Sequence, residues 1–67
     1  MNEYYAIYTV LIEGATWGRK EHFFEAENDE EAIQKALDYE SNYCDGKAEL
    51  LLDYLYDPDG EQIKIER

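Results

Sequence analysis

The sequence predicts an α+β fold in which a four-stranded antiparallel sheet, in the order ββαββ, carries one helix packed on one face. Two strand-like segments precede a single segment of helical periodicity, and two more follow it. Short turns containing Gly or Pro join the members of each pair. With 67 residues, one Pro and four Gly, the chain has room for a single domain spanning residues 1–67.

The first strand pair is predicted from residue type. Residues 4–12 are mostly β-branched, aliphatic or aromatic, which is typical of a strand. Residues 19–26 alternate between polar and apolar types, and the glycine-bounded segment 14–18 separates the two runs. We therefore expect an antiparallel hairpin.

The helix is predicted to run from Asp29 to Tyr43. Asn28 and Glu31 have the spacing of a capping box, in which each side chain accepts a hydrogen bond from the backbone of the other residue. Asp45 and Gly46 provide the left-handed conformation that commonly ends a helix. The apolar residues that recur at helical spacing are Ala32, Ile33, Ala36, Leu37 and then Tyr43 or Cys44.

The second strand pair follows the helix. Residues 48–56 are predicted to form the third strand, and residues 57–60, with Pro58 at the first central position, a turn. Residues 61–66 alternate and are predicted to form the fourth strand, with Ile63 and Ile65 on one face.

One helix covers only one face of a sheet, so the opposite face is expected to stay open. Strict alternation places His22, Phe24 and Ala26 on the helix side of the second strand, and places Ala48, Leu50, Leu52, Tyr54 and Tyr56 there in the third. For the first strand, the sets Tyr4/Ala6/Tyr8/Val10/Ile12 and Tyr5/Ile7/Thr9/Leu11 are equally apolar, and the pattern does not choose between them. The predicted partner-binding residues on the open face are Glu21, Phe23, Glu25, Glu49, Leu51, Asp53 and Leu55.

The charge balance narrows the class of partner. Seventeen acidic and six basic residues give a formal net charge of −11, which opposes direct binding to nucleic acid or to an anionic membrane and favours a basic protein. Rows of carboxylates along the strands could imitate the phosphates of DNA and occupy a nucleic-acid-binding surface. A second interpretation stays open, in which the acidic surface only keeps the protein in solution.

No residue pattern indicates an enzyme, a cofactor or a metal site. His22 has no nucleophile or metal-ligand set near it in sequence, and we expect it to be a structural residue of the sheet. Cys44 is the one cysteine, so no internal disulfide forms, and a reducing, cytoplasmic compartment is expected. No apolar run is long enough to span a membrane.

The segment from Phe24 to Leu37 resembles a strand-to-helix segment found in small phage- and plasmid-borne acidic proteins of ββαββ order, some anti-CRISPR proteins among them. The resemblance implies a small cytoplasmic protein that inhibits a host defence effector by binding it. The alternative function is a structural or self-associating protein, with a homodimer formed through the open sheet face.

Overall fold

The computed structural model describes residues 2–43 and 46–65, and in them it shows a three-stranded antiparallel sheet with one helix across one face. The strands lie in the order β2-β1-β3, so the first strand is central. The elements are β1 (Asn2–Ile12), β2 (Ala15–Ala26), α1 (Asp29–Asn42) and β3 (Ala48–Tyr56).

The β1–β2 hairpin is tighter than predicted. Glu13 and Gly14 have φ angles of 53° and 83°, and Ile12 pairs with Ala15 across them. Two central residues with positive φ form the two-residue turn whose twist matches that of paired strands. β2 therefore begins at Ala15 rather than at residue 19, and an irregularity between Val10 and Leu11 absorbs the extra residue.

The predicted start of the helix is confirmed. The Asn28 side chain accepts a hydrogen bond of 2.8 Å from the backbone N–H of Glu31. The second half of the predicted capping box is wrong, because the Glu31 carboxylate lies 3.1 Å from the Lys35 ammonium and accepts no hydrogen bond from the N–H of Asn28. The helix ends at Asn42, one residue earlier than predicted. Of the predicted stop, Gly46 has a φ of +64°, whereas Cys44 and Asp45 lie outside the described residues.

The core lies between α1 and the inner face of the sheet, defined here as the side that the helix covers. The structure resolves the ambiguity in β1, because Tyr4, Ala6, Tyr8 and Val10 face the helix. Ala36 is fully buried, and its carbonyl oxygen accepts a 2.8 Å hydrogen bond from the Tyr8 hydroxyl. The buried apolar residues are Tyr4, Ala6, Tyr8, Val10, Ala26, Ala32, Ala36, Leu50, Leu52 and Leu55.

The predicted fourth strand is wrong, although the turn before it is confirmed. The N–H of Gly60 donates to the carbonyl of Asp57 at 3.0 Å. After the turn, the described chain makes one isolated β-bridge, Tyr56 to Gln62. Further along the same edge of β3, beyond the bulge, the N–H of Leu52 binds the carboxylate of Glu40 on the helix. A fourth strand would need that donor, so the returning segment does not extend the ladder.

A β-bulge in β3 overturns part of the predicted face assignment. Ile7 pairs with Tyr54 and Tyr8 pairs with Leu52, so Asp53 is the extra residue on β3. An inserted residue reverses the inward–outward alternation beyond it. Leu55 is consequently buried against the helix, with no exposed surface, and the prediction that it lies on the open face is wrong. Tyr54 and Tyr56, predicted to be in the core, lie on the open face instead.

Candidate protein-binding site

The side of the sheet opposite α1, called the outer face below, is the candidate site. Its side chains come from all three strands, and among the described residues no other element packs over it. The outer-face residues are Glu3, Tyr5, Ile7, Thr9 and Leu11 of β1, Arg19, Glu21, Phe23 and Glu25 of β2, and Glu49, Leu51, Asp53, Tyr54 and Tyr56 of β3.

Four rings form a continuous row across the outer face, called the aromatic row below. The ring centroids of Phe23 and Tyr5 lie 4.6 Å apart with the planes inclined by 19°. Tyr5 stacks in turn on Tyr56 at 5.9 Å, and Tyr56 on Tyr54 at 6.3 Å. Phe23 is 59% exposed at the end of the row. Exposed aromatic side chains that are held rigid by their neighbours are typical anchors of protein interfaces.

A shallow cleft of about 410 Å³ opens where the aromatic row meets the turn after β3. Tyr5, Phe23 and Tyr56 supply its apolar wall, and Glu3 and Asp57 supply two carboxylates. Aromatic faces and carboxylates both attract cations, so this chemistry suits a lysine or arginine side chain.

The outer face is strongly acidic. Among its members, Arg19 is the one base, whereas Glu3, Glu21, Glu25, Glu49 and Asp53 are acids. Glu3 and Glu25 pair directly across β1 and β2, with both side chains exposed. Like charges in this position destabilise a sheet by roughly 0.2–1 kcal/mol, and a cation placed between them would relieve that repulsion.

One acid of the outer face, Asp53, is held there by a hydrogen bond, and a second, Glu21, interacts with Tyr5. The Glu21 carboxylate and, to a smaller extent, burial raise the pKa of the Tyr5 hydroxyl. The Thr9 hydroxyl donates to the carboxylate of Asp53, and this bond holds the bulged residue on the outer face. The Asp53 carboxylate is therefore pre-positioned, which lowers the entropy lost when a partner binds it.

No protein-family model matches the chain, and no curated protein or solved structure is significantly similar to it. The site must therefore be interpreted from its own geometry.

The structure places six of the seven predicted partner-binding residues on the outer face. Leu55 is the exception, because of the bulge. Sequence reasoning missed Glu3, Tyr54 and Tyr56, and left Tyr5 undecided. The Glu3–Glu25 pairing could have been inferred only from the exact hairpin register, and the two tyrosines only from the bulge.

His22 lies on the inner face as predicted. Its ring stacks on Tyr39 with 3.9 Å between the centroids, and on Phe24 at 5.5 Å. Burial, with a smaller effect from Lys20, lowers the pKa of His22. These contacts give it a packing role.

Three of the six basic residues lie at the other end of the sheet from the aromatic row. Arg19, Lys20 and Lys47 line a cleft of about 310 Å³ together with Trp17 and Tyr43. Along β1, the strand positions beside this cleft are Val10 and Ile12, whereas the aromatic row crosses at Tyr5. Lys47 is paired with the Glu13 carboxylate at 2.8 Å, so this end of the sheet carries acids as well as bases.

The structure gives no support for a metal site or a membrane span within the residues that it describes. Over 2–43 and 46–65, no group of three or more candidate ligands lies close enough to hold a metal ion. In the same ranges, no helix has the length and apolar character needed to cross a membrane.

Proposed function

We propose that the protein is a non-enzymatic inhibitor that acts in the cytoplasm by docking its outer face onto a basic surface of a partner protein. The observation that carries this proposal is the combination, on one uncovered sheet face, of the aromatic row and a nearly uniform set of carboxylates. The aromatic row provides apolar contact area, and the carboxylates provide complementarity to lysine and arginine.

The partner surface that fits best is one that binds nucleic acid. Such surfaces present lysine and arginine to a backbone that carries one phosphate per about 3.4 Å of helix axis on each strand. On the outer face, Glu21 and Glu25 lie about 13 Å apart along β2, from a rise of about 3.3 Å per residue. Glu3 and Glu25 lie on adjacent strands, so the carboxylates form a two-dimensional array. Occupying the basic surface would exclude the nucleic acid.

The choice of partner class is supported by the strand-to-helix segment 24–37, which resembles that of small mobile-element proteins, although the chain does not share their ββαββ order. We propose a CRISPR effector or another nucleic-acid-binding defence protein as the partner. The outer face binds the protein, and the nucleic acid itself is not a ligand, because the net charge of −11 repels it.

A competition assay tests the proposal. Labelled duplex DNA is bound to a purified CRISPR effector, and fluorescence anisotropy records its displacement as the protein is added. Wild-type protein should displace the DNA, and the displacement should weaken as salt rises, since the Debye length falls to about 8 Å at physiological ionic strength. The double variant Glu25→Lys/Glu49→Lys should displace at least about tenfold less, because two charge reversals together remove more than 1.4 kcal/mol of attraction.

The matched control carries the same change of net charge on the helix. Glu30 and Asp38 are exposed on α1, so Glu30→Lys/Asp38→Lys should retain displacement. Equal losses in the two double variants would mean that net charge alone matters, and would contradict a specific outer face. Sedimentation provides a second check: a tight dimer that hides Phe23 and Leu51 would favour the self-associating alternative and leave no face for a basic partner.

A further inference from the structure

The outer face alone is small for a stable complex. Three strands about 4.8 Å apart and about 30 Å long cover roughly 430 Å², whereas a stable interface buries about 800 Å² on each partner. The proposed function therefore requires additional contact area next to the outer face. The two edges of the sheet are the surfaces that adjoin it.

The edge of β3 is largely occupied by the chain itself. The N–H of Leu52 binds Glu40, and the carbonyl of Leu55 accepts a 2.7 Å hydrogen bond from the N–H of Ile63. The bridge between Tyr56 and Gln62 covers the end of the strand. A partner strand has little room to pair there.

β2 is the other edge strand, and among residues 2–43 and 46–65 no strand pairs with its outer edge. The Lys35 ammonium donates to the carbonyl oxygen of Glu25 at 2.8 Å, so this carbonyl points away from β1. Backbone groups of alternate residues point to the same side of an antiparallel strand, and the β1–β2 register is regular from Glu25 to Gly18. The N–H and C=O groups of Glu21 and Phe23 therefore also point away from β1, towards the open edge.

The ring geometry agrees with this assignment. With this assignment, Phe23 and Tyr5 form a non-hydrogen-bonded pair. Side chains lie closer together in such pairs than in hydrogen-bonded pairs, and the 4.6 Å between the two ring centroids agrees with this. The two planes are nearly parallel, so one face of the Phe23 ring contacts Tyr5 and the other looks out over the β2 edge. Glu21 and Glu25 flank Phe23 on the same face of the strand.

We propose that an extended segment of the basic partner pairs with the free edge of β2 and places an arginine opposite Phe23. The guanidinium stacks on the open face of the Phe23 ring, between the carboxylates of Glu21 and Glu25. The segment adds a fourth strand to the sheet and widens the outer face by about 4.8 Å along its whole length. This inference rests on the proposed function and specifies how the partner engages the site.

The probe is an acetylated, amidated heptapeptide of sequence Thr-Lys-Thr-Arg-Thr-Lys-Thr. The sequence is palindromic, so either strand direction places Arg opposite Phe23 and Lys opposite Glu21 and Glu25. NMR hydrogen exchange is recorded with and without millimolar peptide. In the free protein, the amides of Glu21 and Phe23 should exchange fast and those of His22 and Phe24 slowly. Addition of the peptide should slow the exchange of the Glu21 and Phe23 amides severalfold.

Two comparisons separate strand pairing from charge attraction. Replacing the peptide's arginine with citrulline should weaken binding at least about fivefold, because the cation is lost while the shape is kept. Glu21→Ala and Glu21→Pro remove the same carboxylate, but only proline removes the outward N–H, and an edge proline is compatible with the β1 ladder. The Glu21→Pro variant should bind the peptide at least about fivefold more weakly than the Glu21→Ala variant. This difference corresponds to the loss of about one hydrogen bond.

Several results would overturn the inference. Equal affinities of Glu21→Pro and Glu21→Ala, or binding without protection of the Phe23 amide, would show docking on the outer face without strand pairing. The competition assay would still support the proposed function in that case. Absence of binding at millimolar peptide also overturns the inference. Protection that rises with protein concentration in the absence of peptide would assign the β2 edge to a second copy of this chain.

Discussion

The sharpest test of the fold compares two leucines of β3 that strict alternation would place on the same face. Leu51 is 42% exposed, whereas Leu55 has no exposed surface, because the bulge at Asp53 lies between them. Truncation of a fully buried leucine to alanine costs about 2–5 kcal/mol, including the cavity that it leaves. Leu55→Ala should fall in that range, and Leu51→Ala should cost less than about 1 kcal/mol.

A loss of about 2–5 kcal/mol is large relative to the total stability of a chain of this size. A domain of 67 residues has a free energy of unfolding of roughly 3–10 kcal/mol, at about 0.05–0.15 kcal/mol per residue. A loss of about 3 kcal/mol lowers Tm by roughly 12–24 °C in a small domain. Far-UV circular dichroism during thermal and urea unfolding measures both variants. Equal destabilisation by the two substitutions, or a larger effect at Leu51, would refute the bulge and restore the unbroken alternation.

Two further predictions concern the inner face. Tyr8→Phe should lower the free energy of unfolding by about 1 kcal/mol, because the hydroxyl that donates to the Ala36 carbonyl is lost. Urea unfolding measures this change. An unchanged free energy of unfolding would mean that the hydrogen bond is not formed. The pKa of His22 in the folded protein is lowered from its ordinary value of 6.5. Near that pH the unfolded chain therefore binds more protons than the folded one. The contribution of His22 to the free energy of unfolding consequently falls as pH decreases through 6.5. The stability of wild-type protein relative to His22→Phe should therefore decrease between pH 7 and pH 5, and a pH-independent difference would contradict the packed, neutral imidazole.

Much of the local structure could be predicted because its causes are local. Asn28 caps the helix through a side chain three residues from its partner, and the turn at Asp57–Gly60 follows from Pro58 and Gly60. The faces of β2 were correct because alternation there is unbroken from residue 18 to 26. The prediction of strict alternation in β3 was wrong beyond Asp53, because a bulge lies there. The bulge allows both Leu52 and Leu55 to be buried in the core, and this depends on packing against the helix.

The residues themselves determined the charge, the single helix with its cap, and the presence of an uncovered acidic face. The tertiary structure alone decided which tyrosines belong to that face and that three strands, not four, form the sheet. Both outcomes depend on contacts between residues that are distant in sequence. The Glu40 carboxylate binds the N–H of Leu52 at the edge of β3, and Leu55 is buried against the helix. Such contacts form only when the helix, the sheet and the returning chain pack together, so no local pattern records them.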